Sequence, residues 1–373
     1  MRIVLVGGGT GGHFYPLIAV AEALRDRDRA LTKQTDLIYF GPEEYNRDEL
    51  ARLNIKFEYC PAGKKRRYFS LRNFTDKFKI FGGIFTAIWK LYKHYPDVVF
   101  SKGGFTSVPI VTAAWILKIP IVIHESDAVP GRANKFASRF ARYIGISYDD
   151  TIDHFPAEKT ALTGLPIRKA FFAPLPNPHQ TLGIPADRPV IFVTGGSLGA
   201  LRVNNLILDS LDELLPQFTV VHQAGDQHVG VVAKSASSLV TDLDQLAHYF
   251  VFGHLDGMRF SAAQQAASLI ISRAGSGTIG EISILGKPSI LIPIPEDVSR
   301  DQRTNAYAYA RSGAATVIEE GNLTDGMLMT EIQKILGDAE YYKTMSLAAQ
   351  GFTRKDAAYT LADTLLAIGA EHL

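Results

Sequence analysis

The feature that most constrains the fold is an apolar strand followed by a glycine-rich turn and a helix, which occurs at Ser268–Glu281. Gly275 and Gly277 allow the backbone to approach a ligand closely, and a helix is expected to open near Thr278. The N–H groups at a helix start lack intrahelical partners and attract phosphate. Glu281 follows as a carboxylate suited to a vicinal diol such as ribose. The stretch therefore predicts one half of a nucleotide-sugar site.

The same arrangement occurs twice more, at Gly7–Gly12 after the apolar run Ile3–Val6 and at Gly195–Gly199 after Val190–Thr194. Further short apolar runs alternate with helical patterns along the chain. Strands separated by helices indicate a doubly wound parallel sheet that binds ligands at the carboxyl ends of its strands. Because 373 residues exceed one ordinary core, two such α/β domains are predicted.

The predicted domains are residues 1–164 and 189–350, each with a Rossmann-like pattern. The segment Leu165–Pro189 contains six of the 18 prolines, so residues 165–188 are interpreted as a linker. Residues 351–373 are expected to form a C-terminal helix, and the N-terminal domain is one surface on which it could pack.

The composition excludes several classes of protein. A net charge of +1 argues against general nucleic-acid binding, so no nucleic-acid partner is expected. Cys60 is the only cysteine and can form no internal disulfide, which fits a reducing cytoplasm, or any compartment if the residue is simply buried. Neither a signal-peptide pattern nor an apolar run of transmembrane length is found.

Two other ligand classes fit less well. The spacing Gly7-x-Gly9-x-x-Gly12 also matches a dinucleotide fingerprint, but the second strand ends at Phe40-Gly41 and acidic residues come only afterwards. The ten histidines show no zinc-ligand spacing, and the two Asp-x-Asp pairs do not close an apolar strand. No metal and no cofactor are therefore predicted.

Seven motifs occur in order along the chain, and together they are specific: Gly8-Gly-Thr-Gly-Gly-His13, Gly103-Gly-Phe-Thr-Ser-Val-Pro109, His124-Glu-Ser-Asp-Ala-Val-Pro-Gly131, Thr163-Gly-Leu-Pro-Ile-Arg168, Gly195-Gly-Ser-Leu-Gly-Ala200, Arg273 to Glu281 and Asp301-Gln-Arg-Thr-Asn-Ala306. By these motifs the chain resembles the MurG family of N-acetylglucosaminyltransferases, glycosyltransferase family 28. The resemblance runs from the first strand to about residue 320.

The resemblance implies the GT-B fold, in which two Rossmann-like domains with doubly wound parallel sheets face each other across a cleft. It implies an inverting transfer of N-acetylglucosamine from UDP-N-acetylglucosamine to the muramic-acid 4-hydroxyl of undecaprenyl-linked lipid I, which gives lipid II for peptidoglycan. It further implies a peripheral position on the cytoplasmic face of the cell membrane.

The resemblance also assigns roles to individual residues. His13 matches the proposed general base, Glu281 the ribose-binding acid, and Gln302 the residue that reads the sugar hydroxyls. Leu255 matches a residue whose backbone reads the uracil. Thr10, Gly11 and Gly12 match the loop near the donor diphosphate and the acceptor. The residues that match the nucleotide loop are Ser276, Gly277, Thr278, Ile279 and Gly280, and those that match other donor contacts are Asp127, Arg168 and Ser197.

Histidine titrates near working pH and could take the acceptor proton, although His13 could equally cap or pack the first helix. Helix N-termini and Arg168 would stabilise the departing UDP.

The chain departs from the family pattern at four positions. Asp127 replaces an asparagine, Leu198 a glutamine, Leu165 an asparagine, and Phe105 a tyrosine. A carboxylate at position 127 accepts hydrogen bonds but donates none, and it repels a diphosphate. We expect Arg168 or Lys135 to pair with it, because an unpaired charge in a cleft is costly.

A basic and aromatic stretch predicts contact with an anionic membrane. Between Lys64 and Lys93 there are nine Lys or Arg residues and one acidic residue. The aromatic residues could instead belong to the core, with the basic residues on a solvated face, but the charge bias favours the membrane. The predicted membrane residues are Lys64, Lys65, Arg66, Arg67, Phe74, Phe78, Phe81, Phe85 and Trp89.

Three alternative functions stay open at this point. One is another UDP-sugar enzyme of the same fold, such as a UDP-N-acetylglucosamine 2-epimerase or a different lipid glycosyltransferase. Another is a non-catalytic scaffold that binds a nucleotide sugar or a lipid, and the third is nicotinamide-dependent redox chemistry. The basic and aromatic stretch argues against the epimerase, and the presence of His13, Arg168, Glu281 and Gln302 argues against the scaffold.

Overall fold

The structure is a computed structural model that describes residues 1–32, 34–63, 72–196, 199–296 and 300–371, without the side chains of 72–79 and 300. The chain divides into two compact units. The N-terminal unit is Met1–Lys169 with Arg354–Leu373, and the C-terminal unit is Ala170–Thr353. The sequence had placed a linker at 165–188 and a separate C-terminal helix at 351–373.

The N-terminal unit contains a seven-stranded sheet in which all neighbours are parallel, in the order β3-β2-β1-β4-β5-β6-β7. The chain first builds outward from β1 on one side and then crosses to β4 on the other, so the switch point lies between β1 and β4. The strands are β1 Arg2–Val6, β2 Asp36–Gly41, β3 Ile55–Tyr59, β4 Val98–Ser101, β5 Ile121–Glu125, β6 Tyr143–Ile146 and β7 Thr160–Leu162.

Helices cover both faces of this sheet, because successive apolar side chains of β1 point to opposite faces and both sets must be buried. Ile3 and Leu5 point into one apolar cluster, and Val4 and Val6 point into the other. The helices of the unit are α1 Gly11–Leu31, α2 Arg47–Arg52, α3 Arg72–His94, α4 Ser107–Ile116, α5 Arg132–Ala137 and, from the end of the chain, α16 Ala357–Ala370.

Helix α16 packs against α1. Leu361 and Leu365 are fully buried in the cluster that α1 and the sheet form. Burying a leucine side chain contributes about 1.5–3 kcal/mol, so these two residues anchor the last helix to the N-terminal unit. Arg27 of α1 and Asp363 of α16 add an exposed ion pair at 2.7 Å.

The C-terminal unit has a parallel six-stranded sheet in the order β10-β9-β8-β11-β12-β13, with its switch point between β8 and β11. Its strands are β8 Val190–Thr194, β9 Thr219–Gln223, β10 Tyr249–Phe252, β11 Ala267–Ser272, β12 Ser289–Leu291 and β13 Ala315–Val317. Its helices are α6 Pro178–Leu182, α7 Leu201–Asp209, α8 Leu211–Leu214, α9 Val229–Leu239, α10 Leu243–Leu246, α11 Gly257–Ala266, α12 Ser276–Leu285, α13 Arg300–Ala310, α14 Asp325–Gly337 and α15 Ala339–Phe352.

Two helices begin directly at the glycine loops, and α12 begins two residues before the expected start near Thr278. Helix α1 begins at Gly11, inside the glycine run, and α12 begins at Ser276. Glycine disfavours the interior of a helix, but in a first turn its small size leaves the backbone amides accessible. The unpaired N–H groups of both first turns therefore lie at the carboxyl edges of the two sheets.

Helix α3 shows how a small-residue face packs a helix closely. Gly83, Ala87 and Leu91 are buried and spaced four residues apart, and α3 lies against α4. A Cβ on Gly83 would collide with the carbonyl oxygen of Pro61 and lie 3.2 Å from the ring of Pro109. Gly82, one residue earlier, has nothing within 4 Å of such an atom.

Adjacent glycines of α3 thus offer a matched pair of substitutions. We expect Gly83→Ala to lower the free energy of unfolding by about 1–3 kcal/mol, because the backbone of residue 61 must move. Gly82→Ala should raise it by about 0.5–1 kcal/mol, the helix preference of alanine over glycine. Urea unfolding followed by circular dichroism measures both, and equal effects would contradict the packing of α3 described here.

Candidate functional site

In the N-terminal unit the loops that follow β1 and β4 meet at the switch point of the sheet. Gly9, with φ +85°, approaches Phe105 so closely that a Cβ would lie 2.7 Å from its ring. Gly104, with φ +79°, lies against His13, whose Cδ2 would be 3.4 Å from an added Cβ. Both glycines adopt a left-handed conformation that other residues rarely take. The two glycine motifs therefore form one surface around His13.

The first turn of α1 carries the predicted residues Thr10, Gly11, Gly12 and His13. Thr10 is the N-cap in extended conformation, and its Oγ1 lies 2.8 Å from Nδ1 of His13. Since the first amides of a helix lack intrahelical acceptors, Gly11 and Gly12 supply N–H groups for an anion. The structure thus brings all four residues together at one helix start.

The imidazole of His13 is held neutral. The pKa of His13 is lowered to about 4, chiefly by burial and also by the nearby Lys102 ammonium, while the Asp127 carboxylate opposes both by raising it. At neutral pH the ring therefore carries no charge and can accept a proton. With Nδ1 engaged by Thr10, Nε2 is the ring nitrogen left for that role.

A charged group that the sequence did not reveal lies beside these loops. Lys102 follows β4 and is only 2% exposed, and its Nζ contacts Ser126 Oγ and the carbonyl oxygen of His124. Glu125, at the end of β5, is also buried and accepts hydrogen bonds from the amides of Asp127 and Gly131, each at 3.0 Å.

The described ion pairs of the two expected counter-ions, Arg168 and Lys135, do not involve Asp127. Arg168 pairs with Glu49 at 3.0 Å, and its guanidinium lies 4.0 Å from the ring centre of Tyr15. Lys135 is exposed on α5 and forms no ion pair within the described ranges. Glu125 and Asp127 both stabilise the charged form of Lys102, a buried cation near position 127 that the sequence did not predict.

Arg168 remains next to the first turn of α1, since Tyr15 also contacts the position of a Gly11 Cβ. Its charge is already shared with Glu49. A role at a phosphate, which the sequence predicted, would require the guanidinium to serve both partners.

In the C-terminal unit the predicted residues Ser276 to Glu281 are the first six residues of α12, with Gly275 as the N-cap. The side chain of Ile279 is fully buried in the core, so only its backbone can face a ligand. Glu281 is partly exposed and accepts a hydrogen bond from Gln264 Nε2 at 3.1 Å. Gln264 is itself buried and thereby orients the carboxylate.

Leu255 and Gln302 are fixed by hydrogen bonds within the same unit. The amide of Leu255 donates to Gln223 Oε1 at 3.0 Å, and Gln223 Nε2 donates to Thr194 Oγ1 at 3.2 Å. The Leu255 N–H is therefore already engaged. Gln302 Oε1 accepts from the amide of Ile294 at 3.3 Å. Ser197 and Leu198 lie outside the described residues.

The predicted membrane residues divide into two groups. Phe81, Phe85 and Trp89 are 63%, 73% and 68% exposed, which contradicts the alternative that they belong to the core. The other predicted positions, Lys64, Lys65, Arg66, Arg67 and the side chains of Phe74 and Phe78, lie outside the described residues.

The described ranges contain no group of three or more His, Cys, Asp and Glu side chains arranged to hold a metal ion. None of the helices within those ranges is both long and apolar enough to span a bilayer.

Both halves of the chain match one enzyme family. Residues 3–146 match the glycosyltransferase family 28 N-terminal domain, and residues 190–361 match the glycosyltransferase family 28 C-terminal domain. A relative from Treponema denticola is 34% identical over 387 residues, which cover 97% of this chain and 96% of the relative. The chain belongs to glycosyltransferase family 28.

Similar members of family 28 share one name. The Treponema relative is called UDP-N-acetylglucosamine--N-acetylmuramyl-(pentapeptide) pyrophosphoryl-undecaprenol N-acetylglucosamine transferase. A Clostridium kluyveri relative with the same name is 34% identical over 359 residues and covers 95% of this chain and 97% of its own.

Solved structures agree with the family assignment. The crystal structure of Acinetobacter baumannii MurG has a TM-score of 0.77 and 25% identity, with 98% of this chain and 99% of that chain covered. The UDP-GlcNAc 2-epimerase from Neisseria meningitidis, at 18% identity, has a TM-score of 0.72 over 98% of this chain and 100% of its own, which shows a common fold only. The predicted family and the predicted GT-B fold class are confirmed.

Three residues of the site were missed by sequence reasoning, namely Lys102, Gln223 and Gln264. Each is a long polar side chain in an apolar or small-residue context, and each is buried. Polar groups in such places are normally paired, so a search for isolated polar residues in strand and helix patterns would have singled them out.

The neutral state of His13 is directly measurable. We expect its ring to titrate at about pH 4, well below the ordinary value of 6.5, because burial and Lys102 disfavour the charged form. Proton–nitrogen correlation spectra of histidine-labelled protein, with His13→Gln to assign the resonance, measure the midpoint. Titration between pH 6 and 7 would contradict the environment described for this ring.

Proposed function

We propose that this chain moves N-acetylglucosamine from UDP-N-acetylglucosamine to the muramic-acid 4-hydroxyl of lipid I, with inversion, to give lipid II for peptidoglycan synthesis. The observation that carries the proposal is the start of α12, where free amides and the Gln264-oriented carboxylate of Glu281 occur together. Amides suit a diphosphate and a carboxylate suits a ribose diol. The names of the family 28 relatives specify the same donor and acceptor.

In the proposed reaction the acceptor oxygen forms a bond to the anomeric carbon while the bond to the UDP oxygen breaks. His13 accepts the proton of the acceptor hydroxyl. A pKa of about 4 makes the free ring a weak base, but an anionic substrate diphosphate near it raises that pKa toward the working range. The N-termini of α1 and α12 supply amides for the diphosphates, so charge that develops on the leaving group meets preorganised donors.

The test is incubation with UDP-N-acetylglucosamine, with and without a lipid I analogue, followed by detection of UDP and the glycosylated lipid. The proposal expects both products, and only when the acceptor is present. An epimerase would convert the nucleotide sugar without the acceptor, and a binding scaffold would release no UDP. Either result would overturn the proposed reaction.

Glu281→Ala should weaken UDP binding by about ten- to a hundredfold, because a charge-assisted hydrogen bond contributes about 1.5–3 kcal/mol. Turnover at saturating donor should change less, since a ribose contact is remote from the reacting carbon. Isothermal titration calorimetry and initial rates separate the two effects. Glu340→Ala, which removes an exposed carboxylate from α15, serves as the control. A loss confined to turnover would contradict the role of Glu281.

UDP should raise the melting temperature of the protein, whereas NAD should not, because only a ligand of the folded state stabilises it. Differential scanning fluorimetry at matched nucleotide concentrations measures both. Stabilisation by NAD alone would favour the nicotinamide alternative that the glycine spacing left open.

We propose further that α3 rests on the anionic cytoplasmic face of the cell membrane. Phe81, Phe85 and Trp89 expose a stripe of aromatic surface at helical spacing, and Tyr92 extends it at 68% exposure. Trp115, at the end of the neighbouring α4, is 53% exposed. The basic residues of 64–67 would add electrostatic attraction of about 1 kcal/mol each.

The aromatic stripe leads to a paired experiment. Phe85→Glu with Trp89→Glu should lower binding to phosphatidylglycerol vesicles by tenfold or more and leave UDP affinity unchanged, because apolar surface is lost and charge is added. Leu347→Glu, a 59% exposed apolar position of the C-terminal unit, is the control. Vesicle flotation at low and high salt provides the measurement. Equal vesicle binding by both variants would contradict the proposed contact between α3 and the membrane.

A further inference from the structure

Three loops of the N-terminal unit meet around the aliphatic part of Lys102. The backbone at Gly7 approaches so closely that an added Cβ would lie 2.9 Å from the Cβ of Lys102. Gly104, two residues after Lys102 in the loop that follows β4, lies against the ring of His13. The third loop follows β5 and contributes Ser126, whose hydroxyl contacts the Lys102 ammonium. Lys102 therefore touches both loops that flank its own.

The ammonium of Lys102 is buried among acidic residues. Its hydrogen-bond partners are Ser126 Oγ and, at 3.5 Å, the carbonyl oxygen of His124. Glu125 and Asp127 stand on either side of Ser126, and no direct ion pair to either carboxylate occurs within the described ranges. Burying an ammonium is costly unless opposite charges lie near it, so these two carboxylates account for its presence.

The balance of charge explains why a carboxylate can occupy position 127. With Lys102, the group formed by Glu125, Asp127 and the ammonium carries one net negative charge when all three are ionised. Without Lys102 it would carry two. Without Lys102, a substrate diphosphate brought to these loops would therefore be repelled more strongly, because the low polarity of a buried site magnifies repulsion between like charges.

We infer that Lys102 is a positioning residue of the transfer site: it holds the 124–127 segment through Ser126 and offsets the charge that Asp127 brings to the substrate diphosphate. This inference rests on the proposed function for the identity of the substrate. Its structural part, the opposed action of Lys102 and Asp127 on the ring of His13, is independent of any substrate.

Lys102 and Asp127 act on His13 with opposite sign. The Lys102 ammonium lowers the pKa of His13, and the Asp127 carboxylate raises it. The other charged and titratable neighbours of Lys102 are Glu125, which is buried beside it, and His124, whose pKa burial and Lys102 hold well below the ordinary value. Removal of Lys102 should therefore raise the pKa of His13, and removal of the Asp127 charge should lower it.

The test compares Lys102→Met, Asp127→Asn and the double variant with the wild type. Without substrate, histidine NMR should show the midpoint of His13 about 0.5–1 pH unit higher in Lys102→Met and lower in Asp127→Asn. In assays, Lys102→Met should raise KM for UDP-N-acetylglucosamine about tenfold, and adding Asp127→Asn should restore most of it. Asp127→Asn alone should shift donor affinity by tenfold or less and retain N-acetylglucosamine transfer.

Lys135→Met is the matched control, because it removes an exposed lysine of α5 and should change neither KM nor the His13 midpoint. If Lys102→Met lowers only stability, with no shift of His13 and no rescue by Asp127→Asn, Lys102 is merely structural and the inference fails. If Lys102→Met does not fold, an unchanged His13 midpoint in Asp127→Asn overturns the inference, and a lowered midpoint supports it.

The outcomes also separate this inference from the proposed function. A wild type without transferase activity whose His13 still shifts in opposite directions in the two variants would overturn the proposed function only. An active wild type without those shifts would overturn the role of Lys102 only.

Discussion

Parallel strands end at the same edge of a sheet, and both sites of this protein depend on that constraint. In each unit the chain starts at a central strand, builds outward on one side, and then returns to the other side of the same strand. The loops after the two adjacent central strands must then lie together, with helix starts directed at the space between them. Glycine loops follow β1 and β4 in one unit and β8 and β11 in the other, so topology alone concentrates the accessible amides at these switch points.

Electrostatics then differentiates the two sites. The C-terminal unit presents the amides at the start of α12, which carry partial positive charge, together with the oriented, negatively charged carboxylate of Glu281. The N-terminal unit presents a neutral imidazole beside a buried lysine and two acidic residues. The first arrangement suits binding of a nucleotide, and the second suits removal of a proton from a neutral hydroxyl. This division of roles follows from the residues within each unit.

Much of this could be predicted from the sequence, for a physical reason. Apolar runs of four to six residues between helical patterns specify a parallel sheet locally, and ordered glycine motifs specify the family, so fold class and family were both predicted and are confirmed. Side-chain partners were not predicted, because they join distant segments. The ion pair of Arg168 with Glu49 spans 119 residues, and the contact of Lys102 with Ser126 connects two neighbouring strands. Helix α3 was predicted in part. The spacing of its aromatic residues was visible in the sequence, but only the packing of Gly83, Ala87 and Leu91 in the structure shows which face is buried.

The most direct test of the central claim is hydrogen exchange of the protein with and without UDP. We predict that UDP slows exchange of the amides at the start of α12, residues 276–278, because they become hydrogen-bond donors to the diphosphate. Exchange at the start of α1, residues 11–13, should slow less, because UDP is proposed to be held mainly at α12, which also carries Glu281. Protection at α1 with none at α12 would contradict the assignment of the two sites.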